Sequence, residues 1–434
     1  MSVHFEVGKN IGRFFAKATK YVSFFPHVAI GISLGAEDES IQDIYENLCT
    51  GLEEYTSVIE VGTISQNVLE RYLQEANIQA GVYLYIEGAN AVIEVYTHEG
   101  QVKNQELSDI LTGNYAWSHS LHHSPKSPVS RLSAKAQKAY AEATSSNLLS
   151  DPNFPDDYDH NICVASSATH VLDTCQAVAS KVGAVIKTLV LSASDAYQHA
   201  INNNEHTFYI NQHGTKLLLF TPSGTVQKQE NLILATLLSV VQKSNSSQLQ
   251  ENESLIPVDN VCLSIDTSKF LWDTLFTFFD TSVSVSNDCV NSLKLKAYIE
   301  KSLAWANNSC MFGFKNNDYL PDAIYAMFML SPTHTYIEET IEILPSAKKA
   351  MFRINAPEFI IETMISEVKA KLPHHNTYMD GNGEMICDDE WSLRYYVQDS
   401  NVKDKDITFE IFSENPNFIV HVQNQLVKLQ NKYS

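Results

Sequence analysis

Predicted strands and helices alternate along the first part of the chain, and this alternation restricts the fold more than any other feature. The hydrophobic pattern predicts, in order, a helix near 7–19, a strand at 27–33, a helix at 41–55, a strand at 57–62, a helix at 65–76 and a strand at 80–86. The second helix, for example, has Ile41, Ile44, Leu48 and Leu52 at helical spacing. Strands that alternate with helices favour a parallel sheet covered on both faces. We therefore expect an α/β fold.

The chain is long enough for several such domains. It has 434 residues, of which 44% are hydrophobic and 19% are charged, and a globular chain of this size buries more than one core. Polar, turn-rich stretches interrupt the pattern near 117–159 and 243–254. The predicted domains span residues 1–145, 160–248, 255–345 and 346–434.

The formal net charge of −21 predicts a negative surface field. Such a field repels nucleic acids, anionic membranes and phosphorylated substrates unless a basic patch overrides it, and the sequence contains no cluster of lysine and arginine. No window reaches the roughly 18 consecutive apolar residues of a membrane-spanning helix. The first residues also lack the apolar core of a signal peptide. We predict a cytoplasmic protein that binds neither nucleic acid nor membrane.

The cysteines and the clustered histidines are weak signals for redox or metal chemistry. The count of seven cysteines is odd, no C-x-x-C pair occurs and most lie in apolar stretches, so we expect buried, reduced thiols. His119, His122 and His123 have a spacing that can bind zinc or nickel. They lie in a turn-rich segment without cysteine or a nearby carboxylate, which favours simple exposure to solvent.

One segment combines a recognisable order of elements with an unusual set of polar residues. Residues 209–224 predict a strand, a polar loop, a second strand and a tight turn, and an apolar helix follows at 232–238. The loop, residues 211–216, contains no carboxylate. A Mg²⁺ ion prefers carboxylate oxygens, whose negative charge offsets the cost of dehydration. The loop therefore lacks the ligands of a magnesium site.

The order of elements in this segment resembles the metal loop of the α-D-phosphohexomutases, which include phosphoglucomutase and phosphomannomutase. In that family the loop reads D-G-D-x-D-R and leads into an apolar strand, a turn and a helix. Its three aspartates correspond to Asn211, His213 and Thr215, and its arginine corresponds to Lys216. The resemblance implies Mg²⁺ as the family's cofactor, and the substitutions imply that this chain holds no metal at the loop.

The stretch 86–91 resembles the loop that carries the family's phosphorylated serine. The serine position is Gly88, which offers no nucleophile, whereas Asn90 matches the family pattern. Glu87 is the nearest carboxylate, and a carboxylate can in principle accept a phosphoryl group. Because no metal loop of the family type faces it, we expect no phosphoryl transfer to Glu87.

The stretch 313–318 resembles the family's sugar-reading loop, G-E-x-S-G-H. Gly313 matches this pattern. The family's glutamate, serine and histidine are replaced by Phe314, Asn316 and Asp318. The helix that follows keeps its aspartate, Asp322, which we interpret as a scaffold residue.

The last domain resembles the family's phosphate-binding domain in the order of its elements. The phosphate loop of the family, R-P-S-G-T-E-P, corresponds to residues 397–406. There Ser400, Lys403 and Lys405 remain as contacts for an anion among several aspartates. Carboxylates repel a phosphate, so an acidic loop is a poor phosphate clamp.

The resemblance covers nearly the whole chain and implies a particular architecture. It implies four domains, of which three are related α/β domains and the last is a C-terminal α+β domain of the TBP-like type. A generic repetition of α/β units is the alternative, because doubly wound sheets occur with many functions.

The substitutions lie on four separate loops and remove most of what phosphoryl transfer requires, namely the nucleophile, the metal ligands and the anion contacts. We therefore predict a non-catalytic phosphohexomutase homologue, a pseudoenzyme with a binding, regulatory or scaffolding role, as a monomer or a homodimer. Its expected ligand is a sugar phosphate, or its partner a protein of a polysaccharide pathway. The residues that remain for ligand binding are Asn90, Lys216, Lys315, Asn316, Ser400 and Lys403. An active phosphosugar mutase that uses displaced residues is the alternative.

Overall fold

The chain folds into two compact units, one of residues 1–227 with 310–332 and one of residues 228–309 with 333–434. The computed structural model describes residues 3–18, 27–33, 39–78, 80–87, 90–97, 100–102, 104–112, 132–155, 161–222, 229–241, 260–267, 269–279, 281–286, 290–332, 348–372, 376–380, 383–387, 391–399, 404–413 and 415–433. Within these ranges no helix is long and apolar enough to cross a membrane. The boundaries of the four predicted domains are finer than this division and stay a prediction.

The first sheet has the predicted alternation of strands and helices. In chain order its elements are α1 (Val3–Ala18), β1 (His27–Ile32), α2 (Glu39–Leu52), β2 (Ser57–Thr63), α3 (Gln66–Glu75), β3 (Ala80–Glu87), β4 (Asn90–Thr97), β5 (Gly100–Gln101) and α4 (Asn104–Thr112). The strand order is β2-β1-β3-β4-β5, with β1 parallel to both of its neighbours and β4 antiparallel to β3. Because β1 is central, its residues after His27 are buried. Ile30, Leu48 and Val82 belong to the core that its strands and helices share.

The second sheet repeats this arrangement. Its elements are α5 (Ser133–Ser150), β6 (Asn161–Ser166), α6 (Thr169–Val182), β7 (Val185–Val190), α7 (Ala193–Asn203), β8 (Thr207–Ile210) and β9 (Leu217–Phe220). The strand order is β7-β6-β8-β9, with β6 parallel to β7 and β8 and with β9 antiparallel to β8. The interpretation of 117–159 as a connection with a helix inside it holds only partly, since α5 continues to Ser150 and packs against α3 and α6.

A third set of strands belongs to the second unit. Its elements are α8 (Gln229–Val241), β10 (Asn260–Ser264), α9 (Lys269–Phe279), β11 (Ser282–Ser286), α10 (Val290–Glu300) and β12 (Ala304–Ala306). β10 is parallel to both β11 and β12. The helix α10 ends at Glu300, because Lys301 adopts a left-handed conformation with φ of +56° and the chain then enters β12.

The segment 310–332 belongs to the first unit and contacts the residues at the start of β9. It contains β13 (Phe312–Phe314), a short 3₁₀ helix (Lys315–Asn317) and α11 (Ala323–Leu330). Lys216 forms an antiparallel bridge with Met311, and the backbone N–H of Leu217 donates to the carbonyl of Cys310 at 3.1 Å. All eight residues of α11 are buried. This segment thereby lies beside the loop that precedes β9.

The C-terminal domain is α+β, as predicted. Its elements are β14 (Lys348–Pro357), α12 (Glu358–Lys371), β15 (Asn376–Asp380), β16 (Gly383–Cys387), β17 (Trp391–Asp399), β18 (Asp404–Ser413) and α13 (Pro416–Tyr433). The strands are antiparallel in the order β14-β18-β17-β16-β15, and both helices contribute to one core with the sheet.

The predicted phosphate loop at 397–406 is shorter than expected. Its first three residues belong to β17 and its last three belong to β18, with Asp399 opposite Lys405 in the ladder. The backbone ladder between the two strands therefore extends further into this stretch than its polar composition suggested. Only residues 400–403 lie between the strands, and Ser400 and Lys403 lie outside the described residues.

Several elements of the first unit were not predicted, and one had a recognisable signal. The pattern analysis missed α4, it missed β4, which is a hairpin partner of β3, and it missed α7. The hydroxyl of Ser192 accepts a hydrogen bond from the backbone N–H of Asp195 at 3.2 Å and caps α7. A serine three residues before an acidic residue is a typical helix start, so this signal is present in the sequence.

The cysteines that the structure describes are buried thiols, as expected, and no disulfide joins them. They are Cys49, Cys163, Cys175, Cys262, Cys310 and Cys387. Cys289 and the histidine cluster at 119–123 lie outside the described residues.

Candidate functional site: two altered loops of the first unit

The loop 211–216 connects β8 to β9 and is closed by its own first residue. The side-chain oxygen of Asn211 accepts hydrogen bonds from the backbone N–H groups of Thr215 at 2.9 Å and Lys216 at 3.0 Å. The backbone carbonyl of Asn211 accepts from the N–H of Gly214 at 3.0 Å. An asparagine that bonds to the backbone ahead of it stabilises a tight turn. The oxygen of Asn211 therefore serves the loop itself.

The tip of this loop contacts two helices. Gly214 has φ of +71°, and a Cβ atom there would lie 2.3 Å from the side-chain oxygen of Asn67 on α3. Its carbonyl accepts from the backbone N–H of Ala323 at 2.9 Å, at the start of α11. The carbonyl of His213 accepts from the N–H of Gln66 at 3.1 Å, at the start of α3. Only glycine combines this conformation with so close an approach.

The side chain of His213 lies against two tyrosines of β3. Its Nδ1 atom is 3.4 Å from the hydroxyl of Tyr83, and its ring centroid is 4.4 Å from that of Tyr85 in an edge-to-face contact. Burial, together with the positive charge of Lys216, lowers the pKa of His213 to about 4. At neutral pH the position that corresponds to the family's second aspartate therefore holds an uncharged, partly buried imidazole.

The two remaining positions of the loop differ in exposure. Thr215 is buried, and its hydroxyl lies 3.4 Å from the side-chain nitrogen of Asn211. Lys216 is exposed. At the three positions that the resemblance aligns with the family's aspartates the loop thus has an amide, an imidazole and a hydroxyl. Of these only the imidazole is a strong ligand, and it prefers softer metals than Mg²⁺.

The hairpin β3–β4 occupies the stretch that corresponds to the family's phosphoserine loop. Glu87 and Asn90 are directly opposite each other in the ladder, so only two residues connect the strands, and Gly88 lies outside the described residues. Both Glu87 and Asn90 are exposed. Glu94 on β4 is partly buried and accepts hydrogen bonds from the hydroxyls of Tyr85 and Tyr96. Burial raises the pKa of Glu94 above its ordinary value in spite of these bonds.

The loop 313–318 is held by side chains far away in the sequence. Phe314 is 1% exposed and packs against Tyr325 with ring centroids 5.0 Å apart. The amide of Asn316 donates to the carboxylate of Asp151, at the end of α5, at 2.8 Å. Lys315 is exposed. The residues that replace the sugar-reading glutamate and serine thus pack or bond inside the protein.

Arg71 on α3 binds the end of the same loop. Its guanidinium donates to the carboxylate of Asp318 at 2.7 Å and to the side-chain oxygen of Asn317. The Asp318 carboxylate is largely exposed, whereas the Arg71 side chain is almost fully buried. Asp318 also has φ of +54°, a left-handed conformation that aspartate and asparagine tolerate better than most residues.

Asp322 is the centre of a buried polar network that the sequence only partly revealed. It is 1% exposed and caps α11 by accepting from the backbone N–H groups of the second and third residues of the helix, each at 3.0 Å. It also accepts from the hydroxyl of Tyr140 at 2.7 Å and from the amides of Asn67 at 3.1 Å and Asn317 at 3.0 Å. Burial and the Asp322 charge raise the pKa of Tyr140 well above its ordinary value. Asp322 is a scaffold residue, as its match to the family pattern had suggested.

The residues that bind the segment 310–332 have no local sequence pattern. Two of them, Asn67 and Tyr140, are 255 and 182 positions away from Asp322, and Arg71 is 247 positions away from Asp318. One signal existed in principle, because a buried arginine or tyrosine requires a polar partner.

The fold is shared with known sugar-phosphate mutases, although no protein-family profile and no curated protein matches the sequence. A phosphoglucomutase/phosphomannomutase family protein of Burkholderia thailandensis is 10% identical, with 99% of this chain and 93% of that chain covered and a TM-score of 0.72. The phosphoglucomutase parafusin of Paramecium, in its open form, is 10% identical, with 98% and 92% covered and a TM-score of 0.63.

A third similar structure is the N-acetylphosphoglucosamine mutase of Aspergillus fumigatus. It is 8% identical, with 98% of this chain and 79% of that chain covered and a TM-score of 0.56. Such enzymes are grouped as the α-D-phosphohexomutase superfamily. The near-complete coverage extends over all the sheets described above, which excludes a merely generic repetition of α/β units. The chain therefore has the multidomain α/β fold of the α-D-phosphohexomutases.

Proposed function

We propose that this chain is a phosphohexomutase-fold protein without mutase activity that works by binding a ligand or a partner. The loop 211–216 carries the proposal. It offers no carboxylate, the oxygen of Asn211 is occupied by two backbone N–H groups, and His213 lies against two tyrosines. A hard cation at this loop would have to compete with those contacts without any anionic ligand. Magnesium-assisted phosphoryl transfer has no support from these residues.

The loop 313–318 supports the same proposal for the sugar. Recognition of sugar hydroxyls requires polar groups that are free to bond with the ligand. Here Asn316 bonds with Asp151, Asp318 bonds with Arg71, and Phe314 is buried. Binding of a sugar through the side chains of this loop would therefore require these contacts to break.

Two exposed lysines define where a sugar phosphate would bind if the chain retains that ligand. Lys216 and Lys315 lie on the two altered loops, and within the described residues neither forms an ion pair. In a protein with a net charge of −21 a local cation is needed to attract an anion. The same proposal includes a cytoplasmic location and, as the other kind of binding partner, a protein of a polysaccharide pathway.

A mutase assay tests the catalytic part of the proposal. The purified chain is incubated with glucose 1-phosphate or mannose 1-phosphate, Mg²⁺ and the matching bisphosphate, and isomer formation is followed. We expect no product above the blank, while an active mutase added to the same mixture gives normal turnover. Turnover by the chain itself would contradict the proposal, and its loss in Glu87→Gln would assign the reaction to a displaced carboxylate.

A binding assay tests the sugar-phosphate part. Thermal unfolding is measured with and without glucose 1-phosphate for the wild type, Lys216→Ala, Lys315→Ala and the control Lys138→Ala. Lys138 is an exposed lysine on α5 in the same unit. We expect a stabilising shift in the wild type and the control, and a smaller shift in the two loop variants. No shift in the wild type would contradict sugar-phosphate binding and leave a protein partner.

A further inference from the structure

A thiol, an imidazole and a carboxylate come together in the second sheet, outside the two altered loops. They belong to Cys163 on β6, His199 on α7 and Glu205, which lies just before β8. The group is near the N-terminal end of β8, whereas the loop 211–216 follows the C-terminal end of that strand. It therefore has no part in the proposed loss of mutase chemistry, and any activity of the group is independent of that proposal.

The geometry of these three groups is close to that of a zinc site. One ligand atom from each residue, the sulfur, a ring nitrogen and a carboxylate oxygen, lies within 4.8 Å of the other two. Around a tetrahedral Zn²⁺ ion with bonds of about 2.0–2.3 Å, the ligand atoms are roughly 3.3–3.8 Å apart. Small rotations of His199 and Glu205, which are partly exposed, are sufficient to close this difference.

A cation already lies at this group. The ammonium of Lys187 on β7 donates to the carboxylate of Glu205 at 2.7 Å and lies 3.4 Å from Nε2 of His199. Cys163 and Lys187 are paired in the β6–β7 ladder, so both side chains start from adjacent strands. The Lys187 side chain is 49% exposed and can turn into solvent. The group is therefore a cation-binding arrangement in which the present cation is removable.

The same residues do not form a nucleophilic triad. In such a triad the histidine uses one ring nitrogen for the nucleophile and the other for an orienting carboxylate. Here Nε2 of His199 lies 3.3 Å from Glu205, and Nδ1 lies 3.0 Å from the side-chain nitrogen of Asn203. The side-chain nitrogen of Asn203 can only donate to Nδ1, so in this arrangement the ring proton is on Nε2. Binding of a metal at Nε2 moves that proton to Nδ1, where the oxygen of the Asn203 amide accepts it once the amide has turned over.

We propose that Cys163, His199 and Glu205 bind a Zn²⁺ ion in exchange for the ammonium of Lys187. The sulfur, the ring nitrogen and the carboxylate oxygen supply three ligands, and a water molecule supplies the fourth. The thiol proton of Cys163 leaves to solvent as the sulfur–zinc bond forms. A soft thiolate with an imidazole selects zinc over Mg²⁺ or Ca²⁺.

Cobalt provides the direct test, because a thiolate bound to Co²⁺ gives a charge-transfer absorption in the near ultraviolet. The full chain is treated with a chelator and titrated with Co²⁺, and Zn²⁺ is then added. We expect the absorption to appear with about one equivalent of Co²⁺ and to disappear when Zn²⁺ displaces it. Absence of the band in the wild type would overturn the proposal.

Three variants distinguish this site from other metal-binding groups. Cys163→Ser should abolish the band, whereas Cys175→Ser, a buried cysteine on the adjacent α6, should retain it. Glu205→Gln should weaken Co²⁺ binding by at least about tenfold. Lys187→Met should tighten it by about two- to fivefold, because the competing ammonium is removed and an exposed ion pair is weak.

The Lys187 variant also separates the proposal from a merely structural cluster. If the residues only stabilise the sheet, Lys187→Met would destabilise the protein and leave Co²⁺ binding unchanged. An equal Co²⁺ affinity in the wild type and in Cys163→Ser would assign the metal to other groups and overturn the proposal.

Discussion

The two altered loops of the first unit are held in place in different ways. The loop 211–216 is closed largely by Asn211, which bonds to the backbone four and five residues ahead. The loop 313–318 is held from outside, by Arg71 on α3 and Asp151 at the end of α5. The first loop is a local turn, and the second is part of a buried network that joins distant parts of the chain.

This difference teaches how the fold can persist while its loops change. A local turn needs only a few residues of the right type, so the other residues of such a loop can change with little effect on the core. A buried polar network is stable only when all its members are satisfied. Asp322 and its partners are therefore expected to tolerate few substitutions. Residues of the loop 211–216 should tolerate more.

Removal of Asp322 should have the largest effect. Asp322→Ala removes the cap of α11 and leaves the hydroxyl of Tyr140 and the amides of Asn67 and Asn317 without their buried acceptor. We expect a loss of about 3–5 kcal/mol in the free energy of unfolding. Urea unfolding followed by circular dichroism measures it. Glu142→Ala is the control, because that carboxylate on α5 is 53% exposed and its loss should cost about 1 kcal/mol or less. Equal effects would contradict the distinction between network and surface.

Substitution of Gly214 should have the next largest effect, because this residue connects the two regions. A Cβ atom at Gly214 would lie 2.3 Å from the oxygen of Asn67, which itself binds Asp322. We expect Gly214→Ala to cost about 2–3 kcal/mol from the clash and the positive φ together. Gly183→Ala is the matched control, since Gly183 has φ of +78° but no atom within 4 Å of an added Cβ. It should cost only about 1 kcal/mol, measured by the same unfolding experiment.

Sequence reasoning predicted the framework of this molecule better than its site. Parallel strands and helices have short-range patterns, so β1, α3 and β3 lie where the hydrophobic pattern placed them. The family resemblance correctly identified Asp322 as a scaffold residue, because its position before an apolar helix is a local signal. The predicted phosphate loop was too long, because strand pairing between Asp399 and Lys405 depends on a partner strand and not on local composition.

The partners across the network could not be predicted for the same reason. Asn67, Arg71 and Tyr140 acquire their roles only when α3 and α5 pack beside the segment 310–332, and nothing in their own neighbourhoods specifies this contact. Similarly, the group of Cys163, His199 and Glu205 has no motif spacing and exists only because β6, α7 and β8 are adjacent. Long-range polar contacts of this kind form only when the fold brings distant residues together, so no local sequence pattern predicts them.

Asn211 tests whether the loop 211–216 is stabilised locally. Asn211→Ala removes the acceptor of two backbone N–H groups, and we expect a loss of about 1–2 kcal/mol in the free energy of unfolding. Asn211→Asp keeps an acceptor of the same shape and should cost less than about 0.5 kcal/mol. Thermal and urea unfolding of both variants measure the difference. Equal destabilisation by alanine and aspartate would show that the amide nitrogen of Asn211, and not its oxygen, holds the turn.

The smallest effect concerns the pH dependence of stability through His213. The pKa of this imidazole is about 4 in the folded protein and 6.5 in its ordinary state, chiefly because of burial. Between these pH values the unfolded chain binds more protons at His213 than the folded chain does. Stability from this residue is therefore complete above about pH 6.5 and decreases as the pH falls. From about pH 6 to about pH 5 the expected decrease is on the order of 1 kcal/mol.

His213→Phe isolates this contribution, because phenylalanine keeps an aromatic ring against Tyr85 and cannot bind a proton. Burial also lowers the pKa of His170, whose Nε2 atom lies 3.2 Å from the carbonyl of Gln212, but that residue is the same in both proteins and its effect cancels in the comparison. The free energy of unfolding is measured for both proteins near pH 7, 6 and 5. The wild type should lose more stability than the variant as the pH falls. Parallel plots of the free energy of unfolding against pH would mean that His213 is protonated equally in the folded and unfolded states. The aromatic contact would then not shield the imidazole from water, and the loop would be more open than its hydrogen bonds indicate.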